Sequence, residues 1–231
     1  MADHSQTVED YLKSIFQIHH RQDKVTTTAL AEQLGVAPAS VTGMIKKLAE
    51  MNLVVYEPYQ GVQLTASGRK IALEVLRHHR LVELYLAEAL GVPWDQVHDE
   101  AEKWEHVLSE RLAERMDALL GYPTTDPHGA PIPTLQGDIA PPSNTRLSDL
   151  EPGQQATITE VSDHDPALLR YLASKDLFPN TEIILLAIDP FGDPLTVLIN
   201  GVEYTLGRGV ADHILVTEPV STTSDPSPAT E

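Results

Sequence analysis

Residues 98–106, HDEAEKWEH, bring His98, Glu102, Glu105 and His106 into one short stretch. At about 100° per residue an α-helix would gather these four side chains into an arc of roughly 100°. Two imidazoles and two carboxylates on one stripe are a ligand set for a divalent metal ion; the competing reading is an acidic solvated face with incidental histidines. His79 and Glu83, four apart on a helical pattern, share a second face, while His78 lies about 100° away. Alone, such a pair is usually a surface hydrogen bond or ion pair. The chain contains no cysteine. Disulfides and thiolate sites are therefore excluded, and any metal must be held by nitrogen and oxygen.

The elements that would position these residues are legible from periodicity. One long helix is expected from about Arg69 to Leu90, ended by Gly91, and a second from about Trp94 to Leu120. The second would carry the acidic stretch and offer Val97, Ala101, Trp104, Val107, Leu108 and Leu112 for packing on the first helix and on a symmetry mate. Residues 121–146 are broken by Pro123, Pro127, Pro131, Pro133, Pro141 and Pro142 with Gly121, Gly129 and Gly137, so they form either a Pro-stiffened ordered crossing or a linker.

Ahead of these helices, Val8, Tyr11, Leu12, Ile15 and Phe16 follow the spacing of one buried stripe on a helix starting near Thr7. Asp10 lies about 200° from Val8 and faces away from that core; its plain role would be a capping box with Thr7. In TTTALAEQLGVAPASVTGMIKKLAEMNLV, Thr27 or Thr28 can cap a short helix, Gly35 allows a turn and Pro38 opens a second helix. That spacing is a helix-turn-helix. Two short strands around Gly61 then make a wing, so residues 1–74 read as a winged helix. Ala39, Ser40, Thr42 and Gly43 would approach base edges, and Lys46, Lys47, Arg69 and Lys70 would neutralise phosphates of double-stranded DNA. Without arginine on the reading helix, shape readout gains weight.

From Leu147 the texture changes to short strands, ATITEV, TEIILLAI, LTVLI and VEYTL, with a helical insertion at about Pro166–Ser174. Five or so strands in this space fit a small SH3-like barrel over 147–217. SDHDP before the insertion contains Asp163, His164 and Asp165, with Asp163 expected to cap the helix. The Ser/Thr/Pro-rich tail 218–231 is expected to be disordered.

The net charge of −18 seems to argue against DNA. Residues 1–74 hold seven Lys/Arg against eight Asp/Glu, leaving nine against 26 for the remainder. A near-neutral module can still carry a local basic surface, while the acidic remainder attracts cations. No apolar run reaches membrane-span length and no signal peptide is recognisable, so a cytoplasmic protein with no membrane partner is expected. No Glu-x-x-His pair, nucleophile triad or phosphate loop is present, which argues against an enzyme or a small-molecule substrate.

RHHRLVE, VHDEAEKWEH and DPHGAPIP, in this order behind a winged helix, resemble the diphtheria toxin repressor family of metal-dependent bacterial transcriptional regulators over nearly residues 1–217. The resemblance implies an α+β, mainly α chain: winged helix 1–74, helical metal-binding and dimerisation domain 75–142, SH3-like domain 147–217. It implies a homodimer that binds palindromic operators when metal-loaded and represses metal-uptake genes, with two metal sites per subunit. The primary site falls on Asp10, Glu102, Glu105 and His106. The ancillary site falls on His79, Glu83 and His98 with Asp165 by alignment, His164 being a fallback; the family's other position reads Leu168 and cannot ligate. Asp10 and Glu102 stand where iron-sensing members have methionine and cysteine. Hard carboxylates suit Mn²⁺, with Fe²⁺ the alternative. Regulators with a two-metal cluster carry glutamate at the position of Lys13, which disfavours such a cluster here. The rival reading is a metal-independent winged-helix architectural or adaptor protein.

Overall fold

The computed structural model describes residues 5–22, 24–57, 61–141 and 143–221. They form two compact units. The first comprises residues up to Leu90, Asp99–Thr124 and Pro131–Ala140; the second comprises Gly91–His98, Thr125–Ala130 and the chain from Pro141. Among the described residues no helix is long and apolar enough to cross a membrane.

The first unit opens with α1 (Gln6–Arg21), α2 (Thr27–Leu34) and α3 (Pro38–Glu50), followed by antiparallel β1 (Val54–Glu57) and β2 (Gly61–Leu64). Val8, Tyr11, Leu12, Ile15 and Phe16 are buried with Leu30, Val41, Ile45 and Leu48 in one apolar core, which is what makes α1 the spine of the winged helix. The caps differ in detail from those expected. Ser5 precedes α1 and makes no side-chain cap, so the expected capping box of Thr7 and Asp10 is not formed. Thr26, rather than Thr27 or Thr28, caps α2 by accepting from Ala29 N at 3.1 Å. Gly35 turns at φ 64° and Pro38 enters the first turn of α3.

Helix α4 (Ala66–Leu90) is started by Thr65, whose hydroxyl accepts from Gly68 N at 3.1 Å and donates to Asn52 O at 2.8 Å. It packs along α1. The expected single helix from Trp94 to Leu120 is instead two, α5 (Val97–Trp104) and α6 (Glu110–Leu119). After Glu105 N bonds Ala101 O at 2.9 Å, Val107 N and Leu108 N converge on Trp104 O at 3.1 and 3.0 Å, and Ser109 is extended before α6. A tightened last turn and a serine at the next N-cap position end one helix and start another. Glu105 and His106 therefore sit in the connecting turn and not on a helical stripe. Arg77, buried on α4, donates to Pro133 O at 2.8 Å and pairs with Asp117 at 2.7 Å, tying the Pro-rich crossing and α6 to α4.

In the second unit, β3 (Thr145–Arg146), β4 (Gln154–Val161), α7 (Pro166–Ala173), β5 (Glu182–Ile188), β6 (Leu195–Ile199), β7 (Val202–Leu206), α8 (Arg208–Ala211), β8 (Ile214–Val216) and β9 (Val220–Ser221) form the SH3-like domain. Its sheet runs β3-β8-β4-β5-β6-β7, with β9 on β4. Ile158, Leu169, Leu172, Ile183, Leu185 and Val197 fill its core. β3 and β9, two residues each, are too brief to show alternation. β9 also corrects the expectation of a disordered tail from 218, because Val220 pairs with Gln155 and Ser221 with Gln154; residues 222–231 lie outside the described residues. In the DPHG stretch, Asp126 accepts from His128 N and Ala130 N at 2.8 and 3.0 Å. Gly129 adopts φ 91°, and a Cβ there would lie 2.0 Å from Thr159 O. This part of the Pro-rich crossing is ordered by its own turn chemistry.

Gly68 admits a similarly close approach: an added Cβ would stand 2.0 Å from Leu53 O, a backbone atom that cannot swing aside. Gly68→Ala should destabilise the protein by roughly 1–3 kcal/mol in urea unfolding, overriding alanine's helix preference of about 1 kcal/mol. An unchanged or higher midpoint would refute this packing argument.

Candidate metal centre

Glu102, Glu105 and His106 meet residues of α1. Asp10 and His106 meet at 2.8 Å between Oδ1 and Nε2, and His106 Nε2 lies 3.3 Å from Glu105 Oε1. The ligand atoms of Asp10, Glu105 and His106 all fall within 4.8 Å of one another. The same is true of His79, Glu102 and Glu105. Periodicity placed Asp10 opposite the core face of α1, and that face is where the turn after α5 arrives. Carboxylate oxygen and imidazole nitrogen in a partly buried cluster are suitable donors for a divalent ion of hard or borderline character.

The turn is set by its neighbours. His78, buried on α4, holds Glu105 O at 3.2 Å through Nδ1 and faces Glu110 at 3.3 Å through Nε2. Sequence reasoning set His78 aside as a ligand, and here it anchors the backbone of the turn that carries Glu105 and His106. Glu9 was not anticipated at all. Its Oε2 lies 2.6 Å from His106 Nδ1, so Glu9 orients the ring and leaves Nε2 toward Asp10 and Glu105. The available signal was an acidic pair, Glu9–Asp10, on one α1 edge.

His79 serves more than the ancillary set assigned to it. Its Nδ1 is 2.5 Å from Glu105 Oε2 and 3.6 Å from Glu102 Oε1, while Nε2 is 3.0 Å from Glu83 Oε1. Glu83 is fully buried. Lys13 is buried as well, and its Nζ lies 2.7 Å from Glu102 and 2.6 Å from Glu105.

In the second unit, His98 Nδ1 lies 3.6 Å from Asp163, and His164 Nδ1 lies 3.2 Å from the same carboxylate. The capping role expected of Asp163 belongs to Asp165, which is exposed and accepts from Ala167 N at 2.8 Å. One residue's shift in the cap frees Asp163 to face the histidines.

On α3, Ala39, Ser40, Thr42, Gly43, Lys46 and Lys47 are all exposed, as are Arg69 and Lys70 at the start of α4. Thr42 donates to Pro38 O at 3.1 Å, and Arg69 stacks over Phe16 at 5.1 Å.

Residues 3–62 match the family model for the N-terminal DNA-binding domain of iron-dependent repressors, and 65–134 match the metal-binding and dimerisation domain of the same repressors. Residues 145–218 match the FeoA domain. The iron-dependent repressor IdeR of Mycobacterium leprae is 30% identical over 228 residues, spanning 94% of this chain and 99% of the relative. The diphtheria toxin repressor of Corynebacterium efficiens is 30% identical over 193 residues, 79% of this chain and 84% of the relative. Among solved structures, a manganese-dependent transcriptional repressor in complex with manganese is 41% identical with TM-score 0.85, covering 91% of this chain and 99% of that one. The manganese regulator SloR is 32% identical with TM-score 0.76, covering 91% and 98%.

Burial works to lower the affinity of both histidines for a proton, but the carboxylates outweigh it. Hydrogen bonds to Asp10 and Glu9 and the charge of Glu105 lift His106 to about 9; the charge of Glu83 and hydrogen bonds to Glu105 and Glu83 lift His79 to about 10. Each folded value lies above the unfolded value of about 6.5, so the stabilisation is complete below that pH and disappears as pH rises through the folded values. In chelator, the stability difference between wild type and His106→Gln should therefore shrink as pH rises from about 6.5 to about 9. Urea unfolding across that window measures it, and a difference that stays constant or grows would contradict the charge assignment.

Proposed function

Because this chain belongs to the diphtheria toxin repressor family of metal-dependent transcriptional repressors, which are not enzymes, we propose that it is a manganese-responsive repressor. Asp10, Glu102, Glu105 and His106 hold its primary ion. The observation that carries this reading is Asp10 of α1 at 2.8 Å from His106, beside Glu105. One ion at these residues would tie a helix of the winged helix to the turn between α5 and α6. Metal shifts the population toward DNA-binding geometry only by binding that geometry more tightly, and a bridge between two separately movable elements supplies such a difference. The all nitrogen-and-oxygen donor set, with Glu102 in place of a sulfur ligand, supports Mn²⁺ over Fe²⁺. The manganese-dependent structures named above support the same choice.

Domains for DNA binding and for dimerisation point to a homodimer on DNA. Trp104, Val107, Leu112 and Leu119 expose apolar surface on and beside α5 and α6, which supports a dimer face there. We read 1–74 as the DNA-binding segment, 75–142 as the metal-binding and dimerisation segment and 147–217 as the SH3-like segment. Ala39, Ser40, Thr42 and Gly43 then face bases, and Lys46, Lys47, Arg69 and Lys70 face phosphates, on palindromic operators of metal-uptake genes. The second ion, at His79, Glu83, His98 and an SH3-like carboxylate, rests on the family resemblance.

Fluorescence anisotropy on a palindromic duplex selected by the wild-type protein in Mn²⁺, titrated with Mn²⁺, Fe²⁺, Co²⁺ and Zn²⁺ at one fixed salt concentration, tests this. Asp10→Ala should abolish metal-activated binding while the circular dichroism spectrum is retained; unchanged Mn²⁺ activation would remove Asp10 from the site. Glu102→Cys should move the metal ranking toward Fe²⁺, and an unaltered ranking would defeat the hard-ligand argument. Equal wild-type binding in chelator would favour the metal-independent reading.

A further inference from the structure

Lys13 is the one buried lysine among the described residues. Its ammonium touches two of the four residues of the primary set, Glu102 Oε1 at 2.7 Å and Glu105 Oε1 at 2.6 Å, and its side chain is 6% exposed against 42% for Glu102 and 0% for Glu105. It stands on α1 three residues beyond Asp10, so the same helix presents both a metal-binding carboxylate and a cation to one cluster. The two carboxylates it holds come from the end of α5 and from the turn beyond it. Lys13 thus already makes the link between α1 and this turn that a divalent ion would make.

Glu105 has little left to offer an incoming ion. Oε1 is taken by Lys13, with His106 at 3.3 Å, and Oε2 is taken by His79 at 2.5 Å. An ammonium is a compact point charge with three donors and no acceptor, so it can sit where a metal sits but cannot ligate one. A metal ion drawing on Glu102 and Glu105 must therefore share or displace Lys13, against the repulsion of a like charge a few ångströms away.

We propose that Lys13 is a tethered competitor of the metal ion: it occupies the Glu102–Glu105 side of the primary site and raises the metal concentration at which that site fills. This rests on the metal-site reading above and adds a residue that sets the threshold of response. Because the competitor is covalently attached to α1, its effective concentration does not vary with conditions, and the site answers only to metal above a built-in level.

Isothermal titration of the full chain with Mn²⁺ at fixed pH and salt tests the inference directly. Lys13→Gln, which keeps hydrogen-bond donors and removes the charge, should bind Mn²⁺ about tenfold tighter or more at the site that Asp10→Ala eliminates. Lys13→Arg, which keeps the charge, should stay near wild type or weaker. Circular dichroism of each variant in Mn²⁺ confirms that a folded chain is being titrated. If Lys13→Gln binds no tighter than wild type, or Lys13→Arg tightens as much as Lys13→Gln, the competition is overturned while the metal site stands. If wild type shows no saturable Mn²⁺ binding that depends on Asp10, the competition and the metal-site reading fall together.

Discussion

The first unit depends on finding partners for one buried carboxylate. Glu105 is 1% exposed and carries a charge that a low-dielectric interior penalises by several kcal/mol unless it is paired. Its partners come from three directions: Lys13 on α1, His79 on α4, and His106 from its own turn. Removing one partner from such a group typically costs about 3–5 kcal/mol. The arrangement therefore ties the DNA-binding helices, the long α4 and the turn after α5 to the charge state of a single side chain. In a chain of net charge −18, the buried Lys13 sits against the carboxylates of Glu102 and Glu105.

The same constraint explains why α1 has two faces. Val8, Leu12 and Ile15 bury one side in the winged-helix core, while Glu9, Asp10 and Lys13 address the acidic turn. A small change in how the turn is held is thus applied to a helix that cannot shift without moving the helix-turn-helix packed on it, since close-packed interiors transmit displacement rather than absorb it. On the proposed reading, α3 and the basic residues flanking it lie at the far end of this packed unit. The exposed set there, Ser40 and Thr42 with Lys46 and Lys47, has few long forked donors. The Thr42 hydroxyl also donates to Pro38 O. Positioning of α3 on the duplex should matter more than any single base contact.

The winged helix was legible because each of its signals is local: a 3.6-residue apolar stripe in α1, Gly35 with positive φ and Pro38 in a first turn. The short-strand texture of the SH3-like domain was legible for the same reason. The stripe from His98 to His106 was read with the wrong geometry, since Glu105 and His106 leave the helix. Helical periodicity continued through Glu105, His106 and Val107, but ion pairs from α1 and α4 and the hydrogen bond from His78 pull the turn away from the helix axis. Tertiary charge pairing outweighed a local propensity worth only tenths of a kcal/mol per residue. Likewise the swap between Asp163 and Asp165 turns on which of two aspartates the helix start selects, and both satisfy the same capping rule. Glu9 could not be singled out, because an acidic residue in the first turn of a helix already has a sufficient explanation in the helix dipole.

His79 and His106 show one arrangement used twice. A metal-binding histidine needs one nitrogen directed at the ion and the other held by a second group that fixes ring and tautomer. In His106 the Nδ1 side is held by Glu9, leaving Nε2 toward Asp10; in His79 the Nδ1 side is held by Glu105, leaving Nε2 toward Glu83. Glu105 thus contacts both histidines, His79 through Oε2 and His106 through Oε1. An ion that draws Glu105 toward Asp10 and His106 must loosen its short contact with His79, and a proton or cation that holds His79 must hold Glu105 back. Any ion proposed at Asp10 and His106 would therefore be coupled through one carboxylate to the setting of His79 against Glu83. By linkage that coupling acts equally in both directions.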